Sequence, residues 1–262
     1  MKQGIKFLYL VRMKMKYIIV FFVCITSFVL SADITIAVAA NVSYAIAPLK
    51  KAFEEVYPKT NVKVIHGSSG KLTAQISHGA PYDLFLSANM KYPQHLYEDN
   101  LTLGEPVVYA QGVLAILSNQ ARDLKKGLAL FTDASINKIA IANPKTAPYG
   151  VAAKEALENA GFYMPLKKKF VYGESISQTV IYATSAADVG IIAKSSLYAP
   201  QMLHYKEDIQ WIDVNASLYT PLDQGMVILK RAKVKPEAKA FYDFMLGKSA
   251  KEILTSYGYK VP

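Results

Sequence analysis

Cysteine is almost absent from this chain. Cys24 is the single cysteine among 262 residues, and it lies in an apolar stretch near the N-terminus. An intrachain disulfide needs two cysteines and a thiolate zinc site needs several, so both are excluded. The four histidines, His66, His78, His95 and His204, show no His-x-x-x-His spacing. We therefore predict no metal site built from the chain's own side chains.

Charged residues are also scarce, at 19% of the chain, and basic residues exceed acidic ones by 30 to 20. Half of that excess lies in residues 1–32, which hold five lysines and arginines and no acid. No arginine-rich stripe or basic run with interleaved aromatic residues is present, so we predict no binding to nucleic acid. Apolar residues make up 52% of the chain, which is enough for a packed core and too many for a disordered chain.

A hydrophobic run long enough to cross a membrane is missing as well. The apolar stretch 17–31 follows a basic segment that ends at Lys16, and small residues stand at its end. This pattern predicts a signal peptide over residues 1–31, because a membrane-spanning helix needs about 20 apolar residues. We expect export to the periplasm and a mature chain without cysteine. A membrane anchor formed by the apolar stretch is the alternative. Cys24 lacks the small residues that usually precede a lipidated cysteine, so we predict no lipid anchor.

Strand and helix patterns alternate along the rest of the chain. Runs rich in branched residues predict strands, and apolar residues spaced three and four apart predict helices. No internal repeat, low-complexity segment or linker rich in Pro or Ser interrupts the alternation. The order predicts an α/β fold with parallel sheets and crossover helices. The predicted strands are 33–39, 61–67, 82–88, 112–118, 138–144, 169–173, 188–195, 209–214 and 225–230, and the predicted helices are 42–56, 69–77, 123–131, 149–161, 175–185, 236–246 and 249–257.

Four strand-to-helix turns are candidates for a binding site. In parallel α/β sheets the carboxyl ends of the strands share one edge, and ligands bind there. Helix N-termini offer unpaired N–H groups and a positive dipole at that edge, which favours an anion held without charged side chains. Asn41 and Ser69 are the strongest candidates, although each could instead be a simple helix cap. The turn residues are Asn41, Ser68, Ser69, Tyr149, Ser175 and Ile176.

A serine hydrolase is the main enzymatic alternative. The stretch GSSG at 67–70 is one residue shorter than the G-x-S-x-G turn of hydrolases. His66 could approach Ser69, but no acid that would orient the histidine is evident. No phosphate-binding loop ending in Gly-Lys-Ser/Thr is present. We therefore predict a binding protein and not an enzyme.

Several segments, taken in order, resemble a known family. They are AVAANVSYAIAPL, SSGKLTAQISHGAPYDLFLSAN, ANPKTAPYGVAAKEAL, DVGIIAKSSL and the closing AFYDFMLGKSAKEIL. Together they resemble the periplasmic molybdate-binding proteins of ABC importers over residues 33–262. The resemblance implies a two-lobed type II periplasmic-binding-protein fold, with two parallel-rich sheets, flanking helices and crossover strands. It places lobe one at 32–112 plus 226–262 and lobe two at 113–225.

The resemblance also implies the ligand, the partners and the site. The ligand is one tetrahedral oxyanion, molybdate or tungstate, so molybdenum enters only as the bound oxyanion and no cofactor is expected. The expected partner is a membrane permease, and the expected state of the chain is a monomer. Carried over by position, the site consists of Ala40 and Asn41 at the first turn, Ser69 with its neighbour Ser68 at the second, Tyr149 at the third and the backbone of Ile176 at the fourth.

Selection among oxyanions follows from a site without charged groups. Phosphate keeps a proton at neutral pH and would need an acceptor such as Asp, which the matched positions do not offer. Sulfate is smaller and would leave buried donors unpaired, at a cost of about 1–3 kcal/mol each. Two alternatives stay open: a binding protein for sulfate or another tetrahedral oxyanion, and an exported serine hydrolase using Ser69. Ala193 stands where some relatives place a ligand-contacting tyrosine; either Tyr149 supplies that hydroxyl or the coordination differs.

Overall fold

Ten strands and eight α-helices lie within residues 32–262, the part of the chain that the computed structural model describes. The strands are β1 (Ala32–Ala39), β2 (Thr60–Gly67), β3 (Leu84–Leu86), β4 (Val107–Gly112), β5 (Leu114–Ser118), β6 (Ile139–Ala142), β7 (Phe170–Gly173), β8 (Val189–Ala193), β9 (Trp211–Asp213) and β10 (Leu222–Ile228). The helices are α1 (Ile46–Val56), α2 (Ser69–Ser77), α3 (Lys91–Glu98), α4 (Pro148–Asn159), α5 (Tyr163–Leu166), α6 (Ile176–Ser185), α7 (Pro236–Leu246) and α8 (Lys248–Ser256).

The strands form two five-stranded sheets, with the orders β2–β1–β3–β10–β4 and β7–β6–β8–β5–β9. β1 and β3 are parallel, and so are β6 with β7 and β6 with β8. β10 runs antiparallel to β3 and β4, and β5 runs antiparallel to β8 and β9. Both sheets are therefore mixed, which refines the expected parallel-rich arrangement.

The chain passes from one sheet to the other at Val113. β4 ends at Gly112 in the first sheet, and β5 begins at Leu114 in the second. β10 returns the chain to the first sheet, where it enters against the direction of β3. A strand that comes back from the other sheet in this way explains why antiparallel neighbours interrupt the crossover pattern.

Most predicted elements are present, and the differences are local. The predicted strand 112–118 is β5, which begins only at Leu114, while Gly112 is the last residue of β4 in the other sheet; β4, α3 and α5 were not predicted. The segment 123–131 is a 3-10 helix, Leu124–Thr132, with Gly127 at a φ of 55° in its middle. The predicted helix 42–56 begins as the 3-10 helix Ala40–Tyr44 before α1. Pro148 opens α4, because its fixed φ and missing N–H suit the first position of a helix.

Each sheet has its own hydrophobic core. In the first, β1 and β3 pack against α1, α7 and α8, and the Phe53 and Phe241 rings meet edge to face at 5.0 Å between centroids. In the second, Ile116, Ile141 and Ile191 of the central strands pack against α4. Replacing a fully buried phenylalanine such as Phe53 with alanine costs about 3–5 kcal/mol.

Three expectations about organisation stay predictions. The signal peptide at 1–31 and Cys24 within it lie outside the described residues. The first lobe boundary, 112/113, falls between β4 and β5, and the second, 225/226, falls inside β10. Residues 33–262 form one unit, so the division into lobes is not tested. Among the helices described, none is long and apolar enough to cross a membrane.

Candidate functional site

One small cavity brings together all six residues that the sequence assigned to a ligand site. Its volume is about 10 Å³, which is close to the smallest cavity that holds one water molecule. All of the lining residues are neutral: Ala39, Ala40, Asn41, Ser68, Ser69, Ala88, Ala147, Pro148, Tyr149 and Ile176.

Four turns between a strand and a helix build the cavity. β1 leads into the 3-10 helix Ala40–Tyr44, β2 into α2, β6 into α4 and β7 into α6. The first residues of α2, α4 and α6 all line the cavity. The first N–H groups of a helix have no partner inside it, and the helix dipole adds partial positive charge. Three helix N-termini that meet at one cavity therefore favour an anion.

Ser68 and Ser69 are both buried, and neither caps its helix. Ser68 stands at the N-cap position of α2, but its side chain makes no cap hydrogen bond, and its Oγ has no partner among the described residues. Ser69 Oγ accepts a hydrogen bond from the backbone N–H of Ala88 at 3.0 Å. Its own hydroxyl proton is thus available to a ligand, and the alternative of a simple helix cap is wrong for Ser69.

Asn41 is fully buried in the 3-10 helix that follows β1, and it is not a helix cap either. Its Nδ2 donates to Gln224 Oε1 at 2.9 Å and to Tyr259 Oη at 3.1 Å. Its Oδ1 has no partner within the described residues. The Asn41 backbone carbonyl accepts from Tyr259 Oη at 2.8 Å and from Ser195 Oγ at 3.0 Å. Asn41 therefore belongs to a buried hydrogen-bond network behind the cavity.

Tyr149 is buried beside the crossing from β4 to β5. Its Oη accepts from Gln224 Nε2 at 3.3 Å, which leaves its proton free to be donated. Burial raises the pKa of Tyr149 well above its usual value, so the hydroxyl stays neutral and remains a donor. Gly112 leaves room for this ring, because a side chain there would meet the Tyr149 hydroxyl.

Ile176 contributes its backbone as the first residue of α6. The preceding Ser175 is a true N-cap, since its Oγ accepts from Gln178 N–H at 3.3 Å. The next residue, Ser177, donates from Oγ to the carbonyl of Ala40 at 2.8 Å. This bond ties α6 to the turn after β1.

Further contacts join the two sides of the cavity. Gly70 of α2 donates its N–H to Thr146 O at 2.9 Å, next to the start of α4. Lys71 Nζ and Glu174 Oε1 form an ion pair at 2.7 Å, with both side chains about half exposed. These contacts connect α2, which follows a strand of the first sheet, to two turns that follow strands of the second.

Sequence reasoning missed the residues behind the cavity. Gln224 and Tyr109 are fully buried in β10 and β4, and Tyr259 lies near the C-terminus. Tyr109 Oη donates to Gln224 Oε1 at 2.9 Å. A glutamine and a tyrosine inside the otherwise apolar strands LDQGMVI and VVYAQG were the available signal. Burial raises the pKa of Tyr109 and of Tyr259, so both hydroxyls stay protonated.

His66 contacts Ser43 and not Ser69, the residue that the hydrolase alternative would require it to approach. His66 Nδ1 lies 3.0 Å from Ser43 Oγ, and burial lowers the pKa of this histidine. Within residues 32–262 no three His, Cys, Asp or Glu side chains group as metal ligands. Ala193, at the end of β8, is fully buried and pairs with Leu114.

Two mixed sheets and a small neutral cavity at helix N-termini define a solute-binding protein. The sequence pattern of the bacterial extracellular solute-binding proteins matches residues 34–260. The chain belongs to this family.

Particular relatives narrow the comparison. The molybdate-binding protein ModA of Rhodobacter capsulatus is 37% identical over 232 residues, which cover 87% of this chain and 88% of that protein. The solved structure of the Azotobacter vinelandii periplasmic molybdate-binding protein matches with a TM-score of 0.80 at 30% identity, covering 87% of this chain and 99% of that one. The resemblance and the type II periplasmic-binding-protein fold that it implied are confirmed. These relatives are named as binding proteins, in agreement with the prediction of a binding protein.

A sulfate-binding protein shares the fold as well. SubI from Mycobacterium tuberculosis matches with a TM-score of 0.72 at 12% identity, over 88% of this chain and 87% of that one. At this identity the likeness concerns the fold alone.

Proposed function

We propose that this chain binds one molybdate ion in the cavity around Asn41, Ser69 and Tyr149 and delivers it to an ABC importer. The observation that carries the proposal is a small buried cavity with only neutral walls at which three helix N-termini meet. The relatives named as molybdate-binding proteins support the choice of ligand.

Binding rests on hydrogen-bond donors and dipoles. The hydroxyls of Ser68 and Ser69 and the N–H groups at Tyr149 and Ile176 surround the oxyanion. Inside a closed cavity the effective dielectric constant is low, so each donor interacts with the dianion more strongly than in water. No positively charged side chain is needed, because the partial positive charges of several N–H and O–H groups together stabilise the dianion. Tungstate has the same charge and shape and binds at the same site.

The surrounding biology follows from the same proposal. The predicted signal peptide at 1–31 takes the chain to the periplasm, where it works as a monomer. The closed form then docks on a membrane permease, and no cofactor takes part. A closed state recognised by the permease explains why contacts such as Lys71–Glu174 span the two sides of the cavity.

Calorimetric titration of the chain from residue 32 onward with molybdate, tungstate, sulfate and phosphate tests the proposal. We expect one-to-one binding of the first two and weak or no heat from the others. Tight sulfate binding alone would keep the fold and change the ligand. Silence from all four oxyanions would overturn the proposal, and ester hydrolysis that is lost in Ser69→Ala would replace it with an enzyme.

Ser69→Ala tests the site within this proposal. We expect molybdate affinity to fall about 10- to 150-fold, because one charge-assisted hydrogen bond of about 1.5–3 kcal/mol is lost. Ser118→Ala is the matched control, since Ser118 is a fully buried serine of β5 that does not line the cavity. Equal affinities of the two variants would show that the site is misplaced.

A further inference from the structure

Five buried side chains form one hydrogen-bond network behind the cavity. Asn41, Gln224 and Tyr109 are fully buried, and Tyr149 and Tyr259 are at most 4% exposed. Gln224 is the centre of the network: its Oε1 accepts from Asn41 and Tyr109, and its Nε2 donates to Tyr149. Only Asn41 and Tyr149 of the five also line the cavity.

In the arrangement seen, Asn41 offers the cavity an acceptor. Both protons of its Nδ2 are used, one by Gln224 and one by Tyr259. The end of the side chain that remains is Oδ1, a fully buried oxygen without a partner in the described chain. Tyr149, in contrast, still has its proton to donate. An oxyanion that carries a proton satisfies this pair, because its OH donates to Asn41 while another oxygen accepts from Tyr149.

A fully deprotonated oxyanion needs the opposite end of Asn41. Turning the carboxamides of Asn41 and Gln224 together exchanges their oxygen and nitrogen atoms. Gln224 Nε2 then donates to Asn41 Oδ1 and to Tyr109, and Gln224 Oε1 accepts the proton of Tyr149. Asn41 Nδ2 now faces the ligand as a donor.

The turned network keeps its other members paired and leaves the Asn41 Nδ2 protons for the ligand. Tyr109 keeps an acceptor, the carbonyl of Ser87 at 3.4 Å. Tyr259 donates to Asn41 Oδ1, and the Asn41 backbone carbonyl keeps its bond from Ser195 Oγ at 3.0 Å. If Asn41 turned alone, its oxygen would face the oxygen of Gln224, and two buried acceptors would repel each other. The two carboxamides therefore turn as a unit.

We infer that Gln224 is a positioning residue that sets specificity, because it couples Asn41 to Tyr149 and so matches the cavity to the protonation state of the oxyanion. The inference rests on the proposed function. Asn41 donates to a ligand without a proton and accepts from a ligand with one. When Asn41 turns, Gln224 turns with it and changes from a donor to an acceptor toward the Tyr149 hydroxyl.

Side-chain amide spectra of the ¹⁵N-labelled chain test the coupling directly. On saturation with molybdate, the NH₂ signals of both Asn41 and Gln224 should shift, because their hydrogen-bond partners change. Gln111 is the internal control. Its Nε2 donates to Asp223 Oδ1 at a distance of 2.8 Å, and neither residue lines the cavity. Molybdate binding with a shift at Asn41 alone, or at neither residue, would overturn the coupling and leave the proposed function intact.

If sulfate binds in place of molybdate, the proposed function fails, yet the same shifts test the coupling because sulfate also lacks a proton. Failure of molybdate, sulfate and phosphate to bind would overturn both.

Gln224→Glu provides the second test, because a carboxylate accepts at both oxygens. Asn41 must then donate to it and keep Oδ1 toward the ligand. We expect the ratio of molybdate to hydrogen phosphate association constants to fall at least tenfold. The titrations are run at a pH above the second pKa of phosphoric acid, where both ligands are dianions, so charge repulsion by the new carboxylate cancels in the ratio. The control is Gln75→Glu, where Gln75 Oε1 also accepts from a tyrosine, Tyr82, at 3.0 Å outside the cavity. An equal loss of both affinities, with an unchanged ratio, would overturn the inference. If the Gln224→Glu variant does not fold, the side-chain amide spectra of the wild-type chain still test the coupling of Asn41 and Gln224.

Discussion

Gly70 is the residue at which a single methyl group should hold the cavity open. Its N–H donates to Thr146 O at 2.9 Å, so helix α2 touches the turn before α4 there. A Cβ at position 70 would lie 2.9 Å from Thr146 O and 3.2 Å from Thr146 Cα. It would also lie 2.8 Å from Tyr92 Oη, but that side chain can move, whereas the Thr146 backbone directly precedes Ala147 of the cavity wall.

The expected loss of affinity in Gly70→Ala follows from the overlap of the new methyl group with the Thr146 backbone. Overpacking of this kind costs about 1–3 kcal/mol, which corresponds to about a 5- to 150-fold loss of affinity. If the two predicted lobes separate in the absence of ligand, the methyl group meets nothing in the open form. The cost then appears only on closure, so the unfolding temperature of the free protein stays unchanged while the ligand-induced increase becomes smaller.

Calorimetry and thermal unfolding of Gly70→Ala with and without molybdate measure both effects. Gly104→Ala is the matched control, because a Cβ at position 104 meets no atom within 4 Å. An unchanged affinity would refute the reasoning. So would a lower unfolding temperature of the ligand-free variant with unaltered binding, since the overlap would then be present in both states and no opening would occur.

Three further predictions concern the network, the cleft and the pH dependence. Tyr259→Phe removes the hydroxyl that bridges the side chain and backbone of Asn41, so we expect about a tenfold loss of molybdate affinity by calorimetry; an unchanged affinity would show that Asn41 is held by other contacts. Lys71→Met removes a cation beside the cavity residue Ser68. The association of molybdate, measured by stopped flow, should therefore be slower than in wild type at low salt and equal to it at high salt. A slower rate at every salt concentration would contradict this electrostatic role. The buried tyrosines should make stability fall above about pH 10, because the unfolded chain releases phenol protons near pH 10 that the folded chain keeps. Urea midpoints against pH measure this fall, and a flat profile would contradict the raised pKa of the buried tyrosines Tyr109, Tyr149 and Tyr259.

The sequence determined the elements and the turns that carry the site. Helix α2 was predicted with the bounds that the structure has, Ser69–Ser77, because its apolar spacing and its flanking turn residues are local signals. The positions of Asn41, Ser69, Tyr149 and Ile176 after strands also follow from local order along the chain. Since the carboxyl ends of parallel strands share an edge, their convergence on one cavity was predictable without coordinates.

Only the tertiary structure decided how these residues are held. Gly112 ends β4 in one sheet and Leu114 begins β5 in the other, and no local pattern marks this change of sheet at Val113. Gln224 meets Asn41 across 183 positions of sequence, and Tyr259 meets it across 218. The hydrogen bonds of a buried amide depend on which groups surround it after folding. That is why the sequence identifies Asn41 as a site residue, while the direction in which its carboxamide points is decided by strands and a C-terminal tyrosine far along the chain.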